Sequence, residues 1–113
     1  PRPRELEADV VKFQNNREKW IAFVGLLNGR PYEIFTGLAD DDEGIMLPKN
    51  VSKGSIIKSY DEDGKKHYDF QFKNKRGYKM TIEGWTVSST LNSGTTPTDF
   101  RRIALRYAYR PGD

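Results

Sequence analysis

The chain has 113 residues, 35% hydrophobic and 31% charged, with a net charge of +3; that is the length of one domain with one core, and its six Tyr, six Phe and two Trp argue against disorder. The absence of cysteine and the single histidine, His67, exclude a disulfide framework, a thiolate nucleophile and a Cys-based zinc site, and leave Ser-His-Asp or multi-His metal chemistry without its parts. No apolar run approaches the ~20 residues of a membrane span, and the charged opening Pro1–Val10 does not read as a signal peptide, so the expected location is the cytoplasm with no membrane contact.

The pattern along the chain has mostly a period of two. Ala8–Gln14 reads as a β-branched strand, and Asn15-Asn16-Arg17 as a turn. Lys19–Leu27, KWIAFVGLL, is apolar on both faces and suits a central, doubly buried strand. Asn28-Gly29 then lies between two apolar runs, the strongest short hairpin signal, because both residues accept the positive φ of a type I′ turn. Pro31 leads into the returning strand Tyr32–Leu38, where it costs no central ladder bond.

Residues 39–50 break the pattern. Asp40–Glu43 reads as an exposed acidic loop, and Ile45–Leu47 as a short strand or a plug into the core. A second triplet follows. Ser55–Tyr60 is a strand and Asp61–Gly64 its turn. Lys66–Lys73, KHYDFQFK, places Tyr68, Phe70 and Phe72 on one face and His67, Asp69, Gln71 and Lys73 on the other. Asn74–Gly77 turns the chain again, and Tyr78, Met80 and Ile82 alternate against Lys79, Thr81 and Glu83.

Composition shifts after Gly84. Trp85–Leu91 reads as a further strand, and Asn92–Thr96 as a flexible link. Thr96-Pro97-Thr98-Asp99 has the cap, first-turn Pro and acid of a helix start. Phe100, Ile103, Ala104 and Tyr107 keep helical spacing, while Ile103, Leu105, Tyr107 and Tyr109 equally alternate as a strand. The expected fold is therefore mainly β, or α+β with a helical tail. It consists of two antiparallel three-stranded meanders forming a small sandwich or barrel-like sheet. Residues 1–84 form a β-rich domain, and 85–113 a tail packed on it rather than a domain of its own. The expected core holds Trp20 or Ile21 with Phe23, Ile34, Tyr68 or Phe70, Phe72, Met80 and Ile82.

No residue set points to catalysis, a cofactor or a metal. Asp40–Glu43 lacks the alternating ligand spacing of a calcium loop, and Asp61-x-Asp63-Gly64 has Phe72 where a closing Glu would fall. Asp69, Glu83 and His67 share a solvent face, which does not favour a tuned acid–base pair. The glycines form no phosphate-binding loop. Charge is uneven: residues 31–47 carry five acids and no base, whereas residues 48–84 carry nine bases and five acids. Within the second segment Lys66, Lys73, Lys75, Arg76 and Lys79 interleave with aromatics, the composition of a single-strand nucleic-acid binder. The same alternation is what a core face and a solvent face produce. A small OB-like nucleic-acid module is one reading of the chain, and a structural module that associates with itself through an edge strand is another.

Three segments carry a family resemblance: RPRELEADVVKFQNN (2–16), KWIAFVGLLNGRPYEIFTGL (19–38) and YDFQFKNKRGYKMTIEG (68–84). Over residues 2–84 the chain resembles a C-terminal segment of bacterial adenosylcobalamin-dependent ribonucleotide reductases, a β-rich region that follows the catalytic barrel and is related to the TSCPD domain. Gly29–Leu38 is its most specific piece. The resemblance implies a non-catalytic accessory or docking module whose partner is the reductase catalytic domain or subunit. The radical-generating cysteines, substrate site and cobalamin site belong to the barrel, so no catalytic residue carries across. The family's cysteine-rich tail has no counterpart here, and Trp85–Asp113 matches nothing in the resemblance.

Overall fold

The computed structural model describes residues 2–15, 17–39, 47–48, 50–73, 79–83 and 87–90, with backbone alone at 13–15 and 87–90. Among the described residues seven strands form one antiparallel sheet: β1 (Glu5–Asn15), β2 (Glu18–Leu27), β3 (Arg30–Leu38), β4 (Lys53–Tyr60), β5 (Lys66–Phe72), β6 (Lys79–Thr81) and β7 (Val87–Thr90). No helix occurs among the described residues. The helix or strand expected after Asn92 lies outside them, as do the Asp40–Glu43 loop and the Asn74–Gly77 turn.

Both expected meanders are present. The sheet order is β6-β5-β4-β1-β2-β3-β7, so β4 returns to pair with β1 rather than with β3. Strands β4-β1-β2-β3 thus have the Greek-key order. The β2–β3 hairpin turns at Asn28 and Gly29, with φ of 55° and 76°, as a primed turn requires. Arg17, in the first turn, also has positive φ, at 68°. β1 starts at Glu5, three residues before the expected Ala8. Glu5, Glu7 and Asp9 occupy its outer face while Leu6, Ala8 and Val10 are buried, so the charges belong to the strand's alternation.

The sheet is not flat. Adjacent strands stand about 4.8 Å apart, and β2 and β5 are three steps apart in the order. Rings on a flat sheet would be separated by about 14 Å at that spacing. Instead the Phe23 and Phe70 ring centroids lie 4.6 Å apart, and Phe35 of β3 meets Tyr68 of β5 at 5.1 Å. The two meanders therefore curl onto each other and share one inner core: Ala8, Val10, Ile21, Phe23, Phe35, Ile56, Phe70, Phe72 and Ile82. Leu47, Tyr68 and Met80 pack against it, half-buried. β2 is buried on both faces, as its composition predicts. Ile34 is buried as expected, in a second cluster with Ala22 and Val24 on the outer face.

One ladder row explains how the curl is tolerated. Phe72, Gly54, Ala8, Gly25 and Glu33 are consecutive cross-strand partners from β5 to β3. The middle three carry little or no side chain, so the inner face can fold sharply there. A Cβ at Gly25 would meet Glu33 Cγ at 2.8 Å, and one at Gly54 would collide with the Gln71 carbonyl and the Phe70 ring. Backbone cannot give way as a side chain can. Gly54→Ala is therefore expected to cost about 1–3 kcal/mol or more, seen as a fall of several degrees in Tm. An unchanged Tm would mean the sheet opens freely at this row.

Candidate docking surface

Three polar features stand out among the described residues, and each follows from strand register. The first lies at one mouth of the curled sheet. Glu33, on β3, points inward by alternation and is only 2% exposed. It is met by Arg2, whose Nε–H and Nη2–H donate to the two carboxylate oxygens at 3.0 and 2.6 Å. Nη2 also donates to the Ile56 carbonyl, and Nη1 to the carbonyls of Pro3 and Arg4. The fork geometry of the guanidinium suits this buried carboxylate.

Beside this pair the concave face continues with cations and tyrosines. Lys58 lies opposite Tyr68 and Tyr60 opposite Lys66, while the Lys58 amide donates to the Arg4 carbonyl. Ile56 and Phe70 are inward, so Lys58, Tyr60, Tyr68 and Lys66 follow on the same face toward the rim. The Lys58 ammonium sits 5.7 Å from the Tyr60 ring centroid and 5.8 Å from that of Tyr68, and the Arg2 guanidinium also lies 5.8 Å from Tyr68. These are cation–π distances. Burial draws the Lys58 pKa down, but hydrogen bonding to Tyr60 and the charge interactions with both phenols outweigh it, and the net shift is upward.

The second feature is an open cleft of about 340 Å³ where Pro48, Asn50, Val51 and Lys53 face Phe72 and Lys73. Lys53 is paired with Asp9 at 2.9 Å, and Lys12 Nζ donates to the Pro48 carbonyl at 3.3 Å.

The third feature is a latch on the outer face. His67 Nδ1 lies 2.9 Å from Glu83 Oε1, and Nε2 lies 2.9 Å from Asp61 Oδ2. Glu83 Oε2 accepts the Tyr68 amide at 2.6 Å, and Asp61 Oδ1 accepts the amides of Asp63 and Lys65. The latch ties the β4–β5 turn, β5 and the chain after β6 together. It also occupies an amide on β5 just beyond the three-residue β6, which protects that edge. The Glu83 and Asp61 hydrogen bonds hold His67 above its ordinary 6.5. His67, followed by the turn amides, holds Asp61 below 3.8. Burial pushes Glu83 up, but His67 and the Tyr68 amide outweigh it and leave the carboxyl below 4.5.

The raised histidine contributes stability that is complete below 6.5 and lost as pH rises through its folded value. The lowered carboxyls contribute stability that is complete above their ordinary values and lost as pH falls through the folded ones. The latch is therefore strongest between pH 4.5 and 6.5. The Tm difference between the wild type and His67→Gln is expected to peak in that window. A difference flat from about pH 5 to about pH 8 would rule the latch out.

The sequence candidates separate in space. Lys66 stands at the mouth, whereas Lys73 lines the cleft and Lys79 pairs across from Gln71 toward that same end. Seven residues of strand put Lys66 and Lys73 about 23 Å apart. Lys75 and Arg76 lie outside the described residues. Phe70 and Phe72, 0% and 4% exposed, are core and offer no ring to a ligand. Glu83 is engaged by His67 and the Tyr68 amide rather than solvated. Arg2 with Glu33, the Lys58–Tyr60 pair and the Asp61–His67–Glu83 latch were not read from the sequence. Only His67 with Glu83 left a trace there, as a shared strand face.

Among the described residues no three His, Asp or Glu converge as a metal site, and both His67 nitrogens face carboxylates. The surface is built of groups that recognise charge and aromatic area. A family model described as NrdJ homologue C-terminal domain matches residues 6–107, running well past Gly84, where the sequence resemblance stops. No curated protein and no solved structure matches the chain. On a match that spans nearly all of its residues, the chain belongs to the family of NrdJ homologue C-terminal domains.

Proposed function

We propose that this domain is a non-catalytic accessory module of an adenosylcobalamin-dependent ribonucleotide reductase, related to the TSCPD region, and that it acts in the cytoplasm by docking on the catalytic barrel or the partner subunit. The observation that carries this reading is the family match over residues 6–107. The described polar groups support it. They form ion pairs, cation–π contacts and an edge latch, which suit recognition. The match also favours residues 85–107 as part of the same module.

The test is association. The full chain is mixed with a purified reductase that lacks its own C-terminal region and analysed by sedimentation velocity. A complex is expected at concentrations of tens of micromolar or below. No association at roughly tens of micromolar, already weak binding of about 6–7 kcal/mol, would remove the proposal.

A further inference from the structure

We propose that the strip Arg4, Lys58, Tyr60 and Lys66 at the concave mouth docks an acidic, extended peptide segment of a protein partner. This names the surface and the partner chemistry for the docking proposed above, and rests on that reading.

Cations without a carboxylate partner and tyrosine rings come together at the strip. Arg2, Lys53 and His67 each have a carboxylate partner. Among the described residues no carboxylate pairs with Arg4, Lys58 or Lys66. Lys58 is half-buried and held by two tyrosine rings instead. Its ammonium is thus already desolvated in part and fixed in position, so an arriving carboxylate orders little that is not ordered already. Tyr60, 62% exposed, is the large apolar side chain that stands open among the described residues. Tyr and Arg are the residues that dominate interface energetics.

The spacing selects an extended peptide. Lys58 and Tyr60 are two residues apart on one strand, about 6.6 Å, and cross-strand neighbours are about 5 Å apart. An extended segment with an acid at every second residue has the same period along its length. The surroundings weigh against nucleic acid. A single-strand groove needs several open rings for its bases to stack on, whereas among the described residues Tyr60 is the open ring and Phe70 and Phe72 are in the core.

The full chain is titrated into a fluorescein-labelled peptide of alternating glutamate and serine, read by anisotropy. Saturable binding that weakens with salt is expected. Lys58→Glu with Lys66→Glu should weaken it by about tenfold or more, Tyr60→Ser by several-fold, and Lys73→Glu with Lys79→Glu by less than about twofold. Each variant's Tm and circular dichroism are measured alongside. The proposal is overturned if wild type does not bind the peptide, or if the two charge reversals have equal effects. It is also overturned if an oligothymidylate of equal charge binds more tightly than the peptide. The same variants are then carried into the reductase mixture. A complex that survives Lys58→Glu with Lys66→Glu overturns the strip and leaves docking standing. No complex with wild type removes docking, while the peptide titration still decides the strip.

Discussion

A chain ending at Gly84 is expected to melt far below the full chain, or to aggregate. Two losses combine. The first is β7, whose backbone pairs with Glu33–Thr36 of β3. Without it β3 becomes an open edge, and an uncovered edge strand is a template for association. The second concerns the outer face of β2 and β3. Ala22, Val24 and Thr36 are 0% exposed and Ile34 is 1% exposed. Val11, Trp20 and Leu26 are the described hydrophobic neighbours packed against that cluster, and all three are themselves only partly buried. The outer face of β4 and β5, by contrast, carries Lys53, Ser55, Asp69 and Gln71 around the half-buried Ile57 and needs less cover. β7 brings the chain to the β3 edge, and the residues beyond it include Leu91, Phe100, Ile103, Leu105 and Tyr107. Burying a large apolar side chain contributes about 1.5–3 kcal/mol, against about 5–15 kcal/mol for a whole domain. Several such losses approach the total. A chain ending at Thr90 separates the two causes: it keeps β7 and should melt between the other two. If the chain ending at Gly84 melts with the full chain, residues 85–113 are passive and the outer face is closed by the sheet alone.

The sheet was legible where a local rule decides it. Asn28-Gly29 has a turn chemistry with few alternatives, and Lys66–Phe72 alternates so cleanly that its inward face could be read residue by residue. β2 announced burial on both sides through an uninterrupted apolar run. What local rules leave open has a common cause, which is that it depends on which strands become neighbours. Ile34 alternates like a core residue and is one, but the core it joins lies on the other face, because β3 keeps Phe35 for the inside. The curl depends on Gly54, Ala8 and Gly25 meeting in one row, and they are separated by up to 46 residues of sequence until β4 pairs with β1. The polar features suffer most. Glu33 looked like an ordinary strand acid in YEIFTGL, since its partner is 31 residues away in a segment with no regular pattern. Lys58 and Tyr60 belong to a strand that local pattern identifies, but the stacking of Lys58 on the Tyr60 and Tyr68 rings is a tertiary fact. Alternation along Lys66–Phe72 is legible, but the distance between Lys66 and Lys73 at its two ends follows only once the strand is extended.

Removing Arg2 is expected to destabilise the domain more than any other single charge substitution. Arg2→Met leaves Glu33 with 2% exposure and no guanidinium. Breaking a buried pair from one side costs about 3–5 kcal/mol, a large share of about 5–15 kcal/mol. The corresponding fall in Tm is on the order of 10 °C or more. The loss should be asymmetric. Glu33 sits in the middle of β3 between Tyr32 and Ile34 and cannot withdraw, whereas Arg2 precedes β1 and can swing its side chain into water. Glu33→Gln is therefore expected to cost less than Arg2→Met. Arg2→Met with Glu33→Leu removes both charges and should recover most of the loss, since a well-packed apolar pair often replaces a buried ion pair without penalty. Wild-type Tm in Arg2→Met would show that the pair adds nothing. Recovery in the double variant would separate two roles of Arg2. The charge balance of Glu33 would be restored, but the contacts to Ile56, Pro3 and Arg4 and to the Tyr68 ring would still be missing. Those contacts hold the segment before β1 against β4 and β5, beside Lys58. A stable double variant that binds the acidic peptide less well would therefore place Arg2 among the residues that position the mouth, apart from its part in holding the sheet closed.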